Sequence, residues 1–161
     1  MVTASRIDIR PFEPQDAKAF RELNEEWIVK HFGMEDTDRK VLNEPERYVL
    51  QPGGHIFMAF DDDGRPIGCC ALIVTGDPGV FELAKMSVAP AYRGNGIGRR
   101  ILEHAIEQAR AFGATALILE SNDKLANAVH LYESLGFKHR PPETVAPSPY
   151  ARSNVKMKLQ L

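Results

Sequence analysis

The segment Val88-Ala89-Pro90-Ala91-Tyr92-Arg93-Gly94-Asn95-Gly96-Ile97-Gly98-Arg99-Arg100 places three glycines at alternate positions between a β-type run and a helical one. Glycine lets the backbone turn tightly and brings its N–H groups within reach of a ligand. The first turn of the helix that follows carries N–H groups without internal partners, and the helix dipole is positive there. Together these features suit a phosphate or a diphosphate. Arg93, Arg99 and Arg100 add positive charge and forked donors.

Three other readings of the loop can be weighed on its own residues. A Walker A loop ends in Gly-Lys-Ser/Thr, whereas Gly98 is followed by Arg99 and Arg100. A dinucleotide fingerprint needs its third glycine at position 99, where an arginine stands. That rival keeps one feature, since Glu120 lies about twenty residues further on, where a ribose-binding acid would be wanted. A plain helix cap needs only one glycine, not three.

The surrounding pattern supplies the frame. Ile7 and Ile9 flank Asp8 in a short alternating run that predicts a first strand. Ala17, Phe20, Leu23 and Trp27 recur at helical spacing up to Gly33, and a second helical stretch covers residues 37–50 before Pro52-Gly53-Gly54. Three β-type runs follow, at 55–60, 67–75 and 80–88, separated by short turn sequences; they predict an antiparallel meander. Beyond the glycine loop, Ile97, Ile101, Leu102, Ala105, Ala109 and Phe112 form an apolar helical stripe that Gly113 ends. A short strand at 116–120 and a helix at 125–135 ending at Gly136 complete a strand–helix–strand–helix unit, which predicts a parallel pair. A proline-bearing loop at 141–149 leads to a closing strand in which Val155, Met157 and Leu159 alternate with polar residues.

Composition limits the function classes. The chain has 161 residues, 43% hydrophobic and 26% charged, which fits one domain, residues 1–161, of a globular protein. A net charge of −2 shows no basic field of the kind that nucleic acid attracts. The longest apolar run, 67–74, falls well short of the roughly 20 residues that span a bilayer as a helix. The N-terminus has no apolar leader segment, so a cytoplasmic protein is expected. Cys69 and Cys70 are adjacent, too close for an ordinary disulfide, and read as buried, reduced thiols on opposite faces of a strand. Neither they nor the five histidines show metal-ligand spacing, so no metal is expected. Residues 11–46 hold ten acids against five bases. This run reads either as solvated helix faces or as an acidic wall favouring a cationic, amine-bearing acceptor.

Arg93-Gly94-Asn95-Gly96-Ile97-Gly98 resembles the acyl-CoA signature Arg/Gln-x-x-Gly-x-Gly/Ala of the GNAT superfamily of N-acyltransferases. The preceding run from Phe81 to Pro90 looks like that family's fourth strand. Asn127-Ala128-Val129-His130-Leu131-Tyr132-Glu133-Ser134-Leu135-Gly136-Phe137 looks like its second CoA-side motif. The order and spacing of elements agree over nearly the whole chain. The resemblance implies an α/β (α+β) fold, with a mixed, twisted sheet of about seven strands, about four helices, and a splay between strands 4 and 5. It implies acetyl-CoA as the acyl donor, its pantetheine arm along Met86, Ser87 and Val88. Its diphosphate would lie on Arg93, Gly94, Asn95, Gly96, Ile97, Gly98 and Arg99.

Acetyl transfer to an amine needs a base for the ammonium proton, a donor for the developing oxyanion and a proton for the departing thiolate. The resemblance places Tyr132 as the general acid and Asn127 as a cofactor contact, with the N–H of Ser87 or Val88 as oxyanion donor. Glu82 and Glu120 are the candidate bases, direct or through water, because apolar strand contexts raise a carboxylate pKa. The resemblance implies an acceptor pocket built from the first two helices and the loop before the last strand, which brings in Trp27, His31, Phe32, Tyr150 and Arg152. The reading is an acetyl-CoA-dependent N-acetyltransferase working by direct transfer to a primary amine, on a small, cationic molecule or a peptide N-terminus. The alternative is a non-catalytic acyl-CoA-binding module. A monomer or a homodimer is compatible with an exposed edge at the last strand.

Overall fold

A computed structural model describes residues 6–161. Residues 1–5, part of the segment read above as lacking an apolar leader, lie outside the described residues. Seven strands form one mixed sheet in the order β1-β2-β3-β4-β5-β7-β6. They are β1 (Asp8–Pro11), β2 (His55–Phe60), β3 (Pro66–Val74), β4 (Val80–Val88), β5 (Ala116–Ser121), β6 (Lys138–His139) and β7 (Val155–Gln160). Four α-helices accompany it: α1 (Ala17–His31), α2 (Asp36–Asn43), α3 (Ile97–Ala111) and α4 (Ala126–Ser134). Among the described residues no helix is long and apolar enough to cross a membrane.

The expected helix over 37–50 is two pieces. α2 stops at Asn43, Glu44 leaves helical geometry at φ −134° and ψ 62°, and Glu46–Leu50 forms a separate π-helical turn. Pro45 explains the break, because a proline disfavours the α region for the residue before it. The two-residue strand β6 was too short to carry a periodic signal. A 3₁₀ turn, Pro142–Thr144, lies within the proline-bearing loop.

Each face of the sheet has its own core. On one face Ile97, Ile101, Leu102, Ala105, Ile106 and Ala109 of α3 pack with Cys70, Leu72, Leu83, Leu117 and Tyr132. On the other, Phe20 and Ile28 of α1 and Val41 and Leu42 of α2 pack with Ile56, Met58, Cys69 and Ala71. The adjacent cysteines thus face opposite cores, both fully buried. Gly68 lets α3 approach β3 closely; a Cβ there would stand 2.5 Å from Ile101 Cδ1.

Two irregularities in β4 shape the site. β4 and β5 run parallel, but pairing ends at Glu82↔Ile118, and β5 continues paired only with β7. The strands part beyond that point and leave one edge of β4 open. The second irregularity is a bulge. Cys69 pairs with Ser87 but Ala71 with Ala84, so β4 carries one extra residue there, and Lys85 adopts a positive φ of 53°. An extra residue reverses the alternation of faces. Phe81 and Leu83 therefore share the α3 face with Met86 and Val88, while Glu82, Lys85 and Ser87 fall together on the α1–α2 side.

Candidate active site

A cleft of about 780 Å³ follows the open edge of β4 from the start of α3 to the loop before β7. At one end Gly94 and Gly96 hold left-handed φ values of 83° and 75°, which glycine adopts without strain. No side chain caps α3. The N–H groups of Ile97, Gly98 and Arg99 have no intrahelical acceptor and are left for a ligand. A Cβ on Gly98 would be in ordinary contact with Leu131 and Val88, so a larger side chain there would fill the cradle. These orphan donors and the free space beside them fit the diphosphate of a coenzyme A thioester.

The loop is tethered on both flanks. The Tyr92 hydroxyl donates to Asp61 Oδ2 at 2.6 Å, and Asp61 also accepts the N–H groups of Asp63 and Arg65. Arg93 donates through Nε to the Val88 carbonyl at 2.9 Å and through Nη2 to Glu26 Oε2 on α1 at 2.6 Å. Arg99 reaches Ser134 on α4. Asn95 does not line the cleft; its side chain donates to the Tyr92 and Arg93 carbonyls and shapes the turn. The other residues expected at the cofactor all line the cleft: Met86, Ser87, Val88, Arg93, Gly94, Gly96, Ile97, Gly98, Arg99 and Asn127. The Ser87 hydroxyl is turned away, donating to the Leu23 carbonyl of α1 at 2.7 Å.

Glu82, Glu120 and Tyr132 also line the cleft. Burial, and then the neighbouring Glu120 carboxylate, push the Glu82 pKa up to about 7. Glu120 accepts a hydrogen bond from Ser148 and lies 3.9 Å from Lys156. Tyr132 is buried against Phe137, its rings 5.9 Å apart, and its hydroxyl has no hydrogen-bond partner among the described residues. Burial raises its pKa, so it is a neutral donor at ordinary pH.

The far end is lined by Trp27, His31, Phe32, Tyr150 and Arg152, the five residues expected at the acceptor pocket. The sequence reading missed what stands among them. Lys85, only 4% exposed in its side chain, donates to Asp38 Oδ1 at 2.6 Å and to the Tyr150 hydroxyl at 3.1 Å. Arg152 grips the same carboxylate with two bonds of 2.7 and 2.8 Å and reaches Glu35 at 3.4 Å. Burial works against the Asp38 charge, but the hydrogen bonds from Arg152 and Lys85 prevail and lower its pKa to about 2. Asn122 donates to the Arg152 carbonyl at 2.6 Å and so ties the end of β5 to this loop. Lys85 was detectable as a lone cation in an apolar strand, which needs a partner when buried. Asp38, 47 residues away, carried no such signal.

The acidic run does not form a wall. None of the ten acids between 11 and 46 lines the cleft. Asp16 pairs with Arg10, Glu26 with Arg93, and Asp38 with Lys85 and Arg152. Solvated or internally paired helix acids describe this segment better.

The chain matches the acetyltransferase (GNAT) family over residues 17–137. The chain belongs to this family. It is 33% identical over 153 residues to an uncharacterized N-acetyltransferase of Schizosaccharomyces pombe, covering 92% of this chain and 93% of that one. Its fold is similar to that of a GNAT-family acetyltransferase from Staphylococcus aureus (TM-score 0.86, 21% identity, 96% and 99% of the two chains). It is also similar to yncA of Salmonella typhimurium, solved with its cofactor acetyl-CoA (TM-score 0.73, 22% identity, 97% and 94%). As a GNAT acetyltransferase the protein is an enzyme, and acetyl-CoA is the donor this family uses. The seven-stranded mixed sheet and the β4–β5 splay are those expected of the fold.

Proposed function

We propose that this GNAT enzyme transfers acetyl directly from acetyl-CoA to a primary amine of a small acceptor. One observation carries the reading: a single cleft joins the orphan N–H groups of α3 to a carboxylate whose pKa sits near neutrality, along an unpaired strand edge. Bound acetyl-CoA supplies a thioester carbonyl at that edge. The chain supplies position, a proton acceptor and a proton donor. The N–H groups of Ile97, Gly98 and Arg99 hold the diphosphate, with Arg93 and Arg99 close by and Asn127 across the cleft. The main-chain N–H of Ser87 or Val88 serves the oxyanion. Glu82, poised near pH 7, takes the amine proton directly or through water, since a base is most useful near the working pH. Tyr132 returns a proton to the departing sulfur.

An acyl-enzyme through cysteine does not suit the site. Cys69 and Cys70 are fully buried, and burial raises both thiol pKa values. The test is release of free thiol from acetyl-CoA across a panel of amines. Release with at least one amine is expected. Tight binding of acetyl-CoA without release for any amine would favour a non-catalytic acyl-CoA sensor and overturn the proposal.

A further inference from the structure

The acceptor end of the cleft is not built for a polycation. The cations that line it there are Lys85, Lys124 and Arg152, and the carboxylates are Glu82 and Glu120. Three cations thus line this end against two carboxylates, a balance that offers a spermidine-like acceptor few unlike charges on the wall itself. Asp38 and Glu35 do not line the cleft; they stand behind Lys85 and Arg152 and hold them in place.

The arrangement of donors is specific. Asp38 occupies the Nη1 and Nη2 tips of the Arg152 guanidinium. Nε makes no hydrogen bond among the described residues, so the Nε–Nη2 edge keeps two parallel donors, the fork that a carboxylate accepts side-on. Tyr150 stacks on this guanidinium, its ring centre 4.4 Å from Cζ, with the Phe32 ring 5.8 Å away. The hydroxyl of the next residue, Ser153, which also lines the cleft, is buried with no hydrogen-bond partner among the described residues. A buried hydroxyl without a partner is uncommon in a folded protein and suits a ligand oxygen. Lys124 also lines the cleft, its ammonium 5.9 Å from the Phe32 ring. Glu82 and Glu120 line the same cleft and are charged neighbours of Tyr150, as Arg152 is.

We infer that the acceptor is a small amino carboxylate, its amine directed to Glu82 and Glu120 and its carboxylate to the open edge of Arg152 and the Ser153 hydroxyl. This deepens the acetyl-transfer reading above and rests on it. Arg152 and Ser153 act here as specificity residues: they touch the acceptor's far end, not the reacting atoms.

The experiment compares kcat/KM for a set of α- and ω-amino acids, their carboxamides and spermidine, by thiol release from acetyl-CoA. An α-amino acid amide has the less basic amine, so more of it is neutral and the comparison is biased against the inference. The acids should nonetheless exceed their amides by about ten- to a hundredfold, the range of a hydrogen bond to a charged group. Arg152→Gln should bring the acid-to-amide ratio close to one while leaving the KM for acetyl-CoA within about twofold. Because that change also disturbs Asp38, Ser153→Ala provides a second reading. It removes a hydroxyl without a hydrogen-bond partner among the described residues, so it should lower the ratio severalfold with no loss of thermal stability. Thiol release with amides or spermidine at least as fast as with the acids would overturn the carboxylate site and leave acetyl transfer standing. No release with any member would overturn both.

Discussion

Glu82 offers the sharpest test of the chemistry. Burial and the Glu120 carboxylate raise its pKa from 4.5 to about 7. A shift of that size is roughly 3 kcal/mol in favour of the neutral form. If Glu82 accepts the amine proton, kcat/KM for the amine, corrected for the amine's own ionisation, should fall about tenfold per pH unit below 7. Glu82→Gln should lower kcat by about a hundredfold or more and remove this limb. Glu120→Gln should behave differently. It removes the like charge but not the burial, which is the larger cause, so activity should persist with the limb moved acidward and not abolished. The same shift has a consequence for stability. Protonated Glu82 favours the folded state below pH 4.5, and this contribution is lost as pH rises toward 7. Glu82→Gln should therefore raise the melting temperature at pH 8 by several degrees, at roughly 2–4 °C per kcal/mol, and leave it unchanged at pH 4. A Glu82→Gln enzyme that keeps the acid limb would refute the assignment of the base. One with an unchanged melting temperature at pH 8 would refute the buried environment on which it rests.

Three further outcomes are expected. Gly98→Trp fills the cradle between Leu131 and Val88, and calorimetry should show acetyl-CoA affinity lost while circular dichroism stays native. Tyr132→Phe should reduce kcat by about a hundredfold with the KM for acetyl-CoA little changed; an unaffected rate of the chemical step would remove Tyr132 from proton transfer. Asp38→Asn leaves Lys85 and Arg152 without their buried counter-charge, a loss of about 3–5 kcal/mol and a melting temperature lower by about ten degrees or more. Since the folded Asp38 pKa is lowered to about 2, its contribution is present above pH 3.8 and lost on acidification, so the difference between wild type and variant in urea should shrink from pH 5 to pH 2.

The cofactor end was legible because its signals are local. Alternate glycines dictate left-handed turns at Gly94 and Gly96, and a helix start leaves orphan N–H groups wherever it occurs. The stripe from Ile97 to Ala109 fixes which face of α3 meets the sheet. The acceptor end was legible only in part. Tyr150 and Arg152 could be placed by topology, but their partners come from α2 and β4, more than sixty residues away in sequence. Asp38 looks like any first-turn acid, and indeed accepts the Glu35 N–H at 3.0 Å. Nothing in its neighbourhood announces that it also pairs with both Lys85 and Arg152. The break at Glu44–Pro45 should have been read, because the residue before a proline resists helical geometry.

The bulge in β4 explains why strand alternation alone would misplace the chemistry. In a regular strand Lys85 would share a face with Leu83 and point into the α3 core, where an ammonium has no partner. Glu82 would then share its face with Met86 and Val88. One inserted residue, taken up by Lys85 at φ 53°, moves Lys85 and Ser87 to the side of Glu82. There the Lys85–Asp38 pair and the Ser87 bond to α1 hold the altered backbone, so the strain of a left-handed lysine is offset by contacts that only this conformation allows. The same bulge coincides with the stretch where β4 leaves β5 and exposes its edge. The stretch of β4 that walls the cleft is thus also the one in which an inserted residue gathers the carboxylate and the cations. Period-two reasoning cannot anticipate such an insertion, since the residues that pair with Lys85 and Ser87 lie on α2 and α1, far from the strand in sequence.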